Sequence, residues 1–272
     1  MAAIDAGTGR ALGKVVVNRA MSPPRRLQPD EPNWMGTMMA WVVCQVAVPG
    51  PSCQTVSRVP WTASASNPPA GAGHIAWRSV VPMRPTKLTD LRFFFGDQCF
   101  FGLCPVGRGH TYGFGHVAEP HFHDNVRGRL ARLRRRFDGF AEPVQQFLAA
   151  LDCDEQVHCS TVEWVDQEEW HRDRVVLVGD AAHASSPMMG QGRGMAVEDA
   201  YVLAVCLRSA DTVESALDRY ITRRKPRVKW VQQESLAVSQ IIGLPSEPRN
   251  AALRTRGEEM FRKRFQPLIA PP

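Results

Sequence analysis

Between residues 74 and 117 the apolar positions recur in short runs with the period of half-buried strands. His74–Val81, closed by Pro82, reads as one strand. Leu91–Phe95 and Cys99–Leu103 read as two more, joined by the hairpin signal Gly96-Asp97. His110–Val117 reads as a fourth, with Tyr112 and Phe114 alternating with Gly113 and Gly115. Four short strands with turn chemistry between them predict an antiparallel sheet. The period then changes. Val126, Leu130, Leu133 and Phe137 fall on one helical stripe, with Arg127, Arg129, Arg132, Arg134, Arg135 and Arg136 on the other faces. A second short helix is predicted from Pro143 to Leu151, with proline in its first turn. Gln156–Val165 reads as a strand. Arg174–Val178 is short and continuously apolar, which predicts burial on both faces as in a parallel sheet. The helix that follows is apolar nearly all round from Met195 to Leu207, which predicts a buried helix. Glu198 and Asp199 lie near its start, where acids suit the helix dipole.

Upstream of residue 74 no such pattern holds. Residues 1–73 carry nine of the 60 charged residues and nine of the 21 prolines, and the prolines interrupt almost every window long enough for a helix. Val15–Val17 and Trp41–Val43 are the strand-like runs in this stretch. The expected organisation is therefore a poorly ordered or unrelated segment at 1–73, a sheet with helices at 74–172, and a third region at 173–272.

Composition adds limits rather than a function. The chain is 44% apolar and 22% charged, ordinary for a globular protein, and its net charge of +6 favours anionic ligands without requiring nucleic acid. No run of 18 uncharged apolar residues is present, so no spanning helix is expected. Asp5, Arg10, Lys14 and Arg19 argue against a secretory signal. Seven widely spaced cysteines without C-x-x-C disfavour a disulfide framework or zinc ribbon, so a cytoplasmic setting is expected.

The chemistry concentrates in residues 174–208. A strand ends at Gly179-Asp180; Pro187 and the run Gly190-Gln191-Gly192-Arg193-Gly194 follow; a helix then begins at Met195. A carboxylate at a strand tip can accept hydrogen bonds from sugar-alcohol hydroxyls. Glycines let backbone approach a flat ring, and free N–H groups at a helix start form a partial positive site.

The run GDAAHASSPMMGQGRGMAVEDA resembles the GD motif of FAD-dependent aromatic-ring monooxygenases, the p-hydroxybenzoate hydroxylase-like or salicylate hydroxylase-like group. GDAAH, Pro187, GQG and Glu198-Asp199-Ala200 occur in family order and spacing, and the likeness covers roughly residues 73–235. The resemblance implies an α/β (α+β) architecture: an incomplete, doubly wound FAD/NAD(P)-binding domain, an antiparallel-sheet substrate domain and C-terminal helices. It implies that Gly179 and Asp180 hold the ribityl chain of FAD and that Pro187 borders the flavin's reactive edge. Gly190, Gln191, Gly192, Arg193, Gly194 and Met195 would present backbone N–H groups to the ring. The implied activity is NAD(P)H-driven hydroxylation of a small aromatic or similar molecule through a flavin hydroperoxide. Gly194 departs from many relatives, at a position where the family uses backbone.

The larger departure lies upstream. The family opens with a strand, G-x-G-x-x-G and a helix that hold the FAD pyrophosphate. Gly71-Ala72-Gly73-His74-Ile75-Ala76 matches G-x-G-x-x-A, but its flanks read as loop and strand rather than strand and helix. Residues 1–73 thus look unrelated or wrongly framed, fused to the rear part of such an enzyme. Without the family's first strand, Arg174–Val178 is expected to carry an unpaired edge, with weak FAD affinity and a tendency to aggregate. A non-catalytic remnant and a basic nucleic-acid-binding module are the alternative readings; the arginine run reads better as a solvated helix face, and no nucleic-acid partner is expected. His183 is assigned to the turn of the motif rather than to catalysis. The basic stretch Arg219–Lys229 reads as a solvated helix kinked at Pro226. His121 and His123 with Cys99 and Cys104 fit no common zinc spacing. Arg78 is placed at substrate, at flavin or in an ion pair. Phe93, Phe95, Phe101, Tyr112 and Phe114 are the pocket candidates, with the sheet face undecided.

Overall fold

The computed structural model describes residues 70–119, 124–172 and 175–272, together with the strands β1 (Ala2–Asp5), β2 (Ala11–Lys14) and β3 (Cys44–Ala47) as backbone. Val15–Val17, Trp41–Val43, His121 and His123 lie outside the described residues. Two compact units divide the chain. One takes residues 1–20, 71–162 and 238–267; the other takes 21–70, 163–237 and 268–272.

The first unit is built on a sheet of β4 (Ala70–Val81), β5 (Arg92–Phe95), β6 (Cys99–Gly107), β7 (His110–Ala118), β8 (His158–Trp164), β1 and β2 in the order β2-β1-β5-β6-β7-β4-β8. The β5–β6, β6–β7 and β4–β7 pairs are antiparallel, and β1 runs parallel to β5. Gly71–Ala76 lies within the strand β4, with Gly73 at a φ of 74°, and no helix follows it, so it is not a phosphate-binding loop.

Alternation assigns the two faces of this sheet. Ile75, Trp77, Phe94, Phe101, Leu103 and Val117 point into one core with Leu130, Leu133 and Phe137 around α1 (Arg129–Arg136), and with Val144, Phe147 and Leu148 of α2 (Glu142–Ala149). Val126, counted in the stripe on α1, is half exposed ahead of the helix. The Phe137 and Phe147 rings come so close to the sheet that a Cβ at Gly115 or Gly113 would lie 2.6 or 2.3 Å from them. Glycine at these two positions is what lets the helices seat aromatic rings on β7. The amino end of α1 is capped from a distance: the Asp154 carboxylate accepts from the Gly128 and Leu130 amides at 2.6 and 2.7 Å. Those bonds hold its pKa below the usual carboxylate range.

The opposite face carries Phe93, Phe95, Phe100, Tyr112, Phe114 and His116. Across the strands Phe93, Gly102, Phe114 and Arg78 form one row, and Phe95, Phe100, His116 and Ala76 the next. The rings contact one another, Phe100 stacking on His116 at 5.0 Å and Tyr112 on Phe114 at 5.2 Å. α6 (Ser246–Phe265) brings Arg249 over the Phe95 ring at 5.4 Å. Phe101 is therefore corrected: it is a core ring, 1% exposed, on the far face from the other pocket candidates.

The second unit holds β10 (Val175–Val178) between β3 and β9 (His171–Arg172), followed by the short α3 (Asp180–His183), α4 (Gly192–Ser209) and most of α5 (Val213–Ile242). Both neighbours of β10 are antiparallel, where its apolar run predicts parallel ones. The expected bare edge is also corrected: β3 pairs with all four residues of β10 on one side, and β9 pairs with Val175 and Val176 on the other.

Candidate functional site

The turn after β10 is set by Gly179, whose φ of 57° and ψ of −142° suit glycine. It delivers Asp180 as the first residue of α3, exposed and without a side-chain hydrogen bond among the described residues. Partial burial at its base raises the carboxyl pKa, against a smaller downward pull from His183. The chain continues through Pro187 into a single 3-10 turn and reverses at Gly190, with φ 64°. α4 starts two residues later.

No side chain caps α4. Its first three amides, at Gly192, Arg193 and Gly194, have no acceptor within the helix. The Met195 amide already donates to the Gln191 carbonyl and the Gly190 amide to the Pro187 carbonyl, both at 2.9 Å. The set of open donors is thus narrower than the run Gly190–Met195 predicts. Space beside this backbone is open: a Cβ at Gly190 would meet nothing within 4 Å, and at Gly192 and Gly194 it would meet only ordinary contacts. Unlike Gly113 and Gly115, these glycines are not required by packing among the described residues.

Behind the turn lies a buried polar network. The Asp199 carboxylate, 0% exposed, accepts from the Gly179 amide at 2.8 Å, from His183 Nε2 at 2.6 Å and from Arg224 Nε at 2.7 Å. Burial alone would raise its pKa; the His183, Arg224 and Gly179 bonds outweigh that and hold it below the ordinary value. Arg224, also 0% exposed, donates to Glu198 at 2.6 Å and to the Met195 carbonyl at 3.1 Å. Arg227 holds Glu198 from the other side at 2.8 and 2.9 Å. The Trp170 ring lies 5.1 Å from that of His183. Gln232 donates to the Val165 and Ala184 carbonyls, tying down the chain beyond α3.

Three expectations change here. Asp199 is a buried acceptor rather than a helix-dipole acid. Arg224 is enclosed rather than solvated. α4 is buried on one face only, through Met195, Asp199, Val202, Leu203 and Cys206, while Val197 and Tyr201 are 64% and 61% exposed. A sequence signal for Arg224 exists. It occupies an apolar stripe, Leu217, Tyr220, Arg224, Val228, Val231, and a cation there needs buried acceptors. Pro226 sits inside α5, which continues through it.

The structure shares its fold with solved structures of FAD-dependent hydroxylases. Residues 101–235 match the FAD binding domain family, and the relatives that the chain resembles are named as FAD-dependent hydroxylases and monooxygenases. It is 32% identical over 174 residues to the aurachin C monooxygenase/isomerase of Stigmatella aurantiaca, covering 64% of this chain and 45% of that protein. It is 34% identical over 176 residues to an FAD-dependent urate hydroxylase of Klebsiella pneumoniae, covering 62% and 45%. The chain spans about half the length of the curated relatives it matches. Among solved structures, Klebsiella pneumoniae HpxO in complex with FAD and uric acid superposes with a TM-score of 0.68 at 26% identity, over 76% of this chain and 55% of that one. A salicylate hydroxylase substrate complex shares the fold, with a TM-score of 0.58 at 20% identity over 78% and 60%. No helix among the described residues is long and apolar enough to cross a membrane.

Proposed function

We propose that the second unit holds FAD at the turn after β10 and the amino end of α4, and that the chain serves NAD(P)H-driven hydroxylation of a small aromatic or similar planar molecule. One observation carries the reading. Among the described residues, a carboxylate at Asp180 without a side-chain hydrogen bond and uncapped amides at Gly192, Arg193 and Gly194 flank glycines that meet at most ordinary contacts. When bound, FAD would supply the redox chemistry, taking electrons from the reduced nicotinamide and activating dioxygen. Asp180 would accept hydrogen bonds from the ribityl hydroxyls. The amides of Gly192 to Gly194, at the positive end of an 18-residue helix, would stabilise negative charge on the pyrimidine side of the ring. Gly179 would keep Asp180 in place, with Gln191 and Pro187 bordering the ring and the Gly190 and Met195 amides serving the turn itself. On the first unit, the ring face of Phe93, Phe95, Tyr112 and Phe114, with Arg78 in the same row as Phe114, is the surface proposed to take a planar substrate. The likeness to urate and salicylate hydroxylases supports that choice.

The test is FAD titration of the full chain by fluorescence quenching, beside Asp180→Ala. A hydrogen bond to a charged group contributes roughly 1.5–3 kcal/mol. The substitution is therefore expected to weaken binding by about ten- to a hundredfold. Saturable binding lost in the variant supports the assignment; equal affinity in both proteins, or no saturation in either, overturns it.

A further inference from the structure

We propose that Arg224 is a positioning residue that fixes the spacing between the two halves of this site; the proposal rests on the flavin reading above. One guanidinium reaches both halves. Through Nε it holds the Asp199 carboxylate, whose other oxygen receives the Gly179 amide and His183 Nε2, and so it governs the turn that aims Asp180. Through its terminal nitrogens it holds the Met195 carbonyl and Glu198, and so it governs the first turn of α4 with the open amides. β10–α3 and the start of α4 are joined in sequence by the loop 184–191, which holds one short 3-10 turn. Arg224 holds the elements on both sides of that loop and Gln232 holds Ala184 within it, so α5 is their common support. Arg227 extends the grip by holding Glu198 and the Leu268 carbonyl. A forked donor is needed at 224, because a lysine presents one point charge and cannot span Asp199, Glu198 and the Met195 carbonyl together.

The experiment compares the full chain with Arg224→Lys, which keeps the charge beside Asp199, and with Arg227→Lys, which leaves the inner grip intact. Amide hydrogen exchange without ligand is the first readout. In Arg224→Lys, exchange at residues 179–183 and 192–196 is expected to rise roughly tenfold or more, while residues 75–77 and 100–103 keep their protection. FAD titration is the second: affinity is expected to fall about tenfold in Arg224→Lys and by less than about threefold in Arg227→Lys, at unchanged helical circular dichroism. Unchanged exchange at both segments overturns the proposal, as does a uniform rise across the first-unit sheet, which marks general destabilisation. Should Arg224→Lys fail to fold, Asp199→Asn is the second variant; it keeps the shape and must loosen 179–183 for the proposal to stand. If the parent chain binds no FAD, the flavin reading fails, and the exchange data alone still decide whether Arg224 couples the two segments.

Discussion

At the scale of single residues, the molecule places polar groups where burial makes their protonation state consequential. His116 is 2% exposed, its Nδ1 has no hydrogen-bond partner among the described residues, and its ring stacks on Phe100. Burial, with Arg78 and His74 adding to it, lowers its pKa to about 3 from an ordinary 6.5. Below pH 6.5 the unfolded chain takes up a proton that the native imidazole refuses, so stability falls as the pH drops towards 3. One pKa unit corresponds to about 1.4 kcal/mol, so about 2 kcal/mol should be lost between pH 6.5 and 5 from this residue. Urea unfolding of the parent and of His116→Phe at the two pH values measures it. The variant should lose correspondingly less, and an equal loss in both would show that His116 is not the source. This feature was hidden in the sequence, because a histidine in an alternating strand reads the same on either face. Asp180 was legible because its spacing to Pro187 and to the glycines is a motif. Arg224 was hidden because it stands among Arg219, Arg223, Lys225, Arg227 and Lys229, and only its place in an apolar stripe marks it.

At the scale of elements, local pattern carried most of the information from residue 74 on. β4, β5, β7, β8 and both short helices lie within a few residues of the expected positions, and β6 runs on to Gly107 because the hairpin to His110 extends its ladder. What local pattern could not give was long-range pairing. β10 is short and apolar, as expected, but its neighbours are set by residues 44–47 and 171–172, and nothing in its own four residues encodes their direction. The exposed face of α4 went unseen for a similar reason: an apolar residue marks a face as able to be buried and does not supply a partner. The seating of helices on β7 is a sharper case. Phe137 is 0% exposed and wedged against Trp77, Phe101 and Phe140 at 4.9–5.9 Å, so its ring has nowhere to move. Gly115→Val should cost roughly 1–3 kcal/mol through overpacking. Gly71→Ala, on an exposed stretch of β4 with open space around it, should stay within about 0.5 kcal/mol of the parent. Thermal unfolding of both variants checks the contrast; equal effects would mean that the helices can shift off the sheet without cost.

At the scale of the whole molecule, the two units carry different kinds of recognition. The first presents aromatic rings with the cations Arg78 and Arg249 beside them; the second presents a carboxylate and open amides. In the proposed reading the second unit's contacts address the ribityl chain and the ring of a flavin. A dinucleotide also has a pyrophosphate and an adenosine to hold. Among the described residues no G-x-G-x-x-G stands between a strand and a helix, since the one near-match lies inside β4. The stretch matched to the curated relatives spans about half of their length. Discrimination between FAD and riboflavin therefore measures how much of the binding comes from the described site. If Asp180 and the amides of Gly192–Gly194 dominate, riboflavin should bind within roughly threefold of FAD, a difference below 1 kcal/mol. Both should weaken alike in Asp180→Ala. A preference for FAD above about a hundredfold would require several charge-assisted bonds to the pyrophosphate, placing a second grip within the rest of the chain. Parallel fluorescence titrations with the two flavins, at fixed salt because phosphate contacts are screened by it, separate these outcomes.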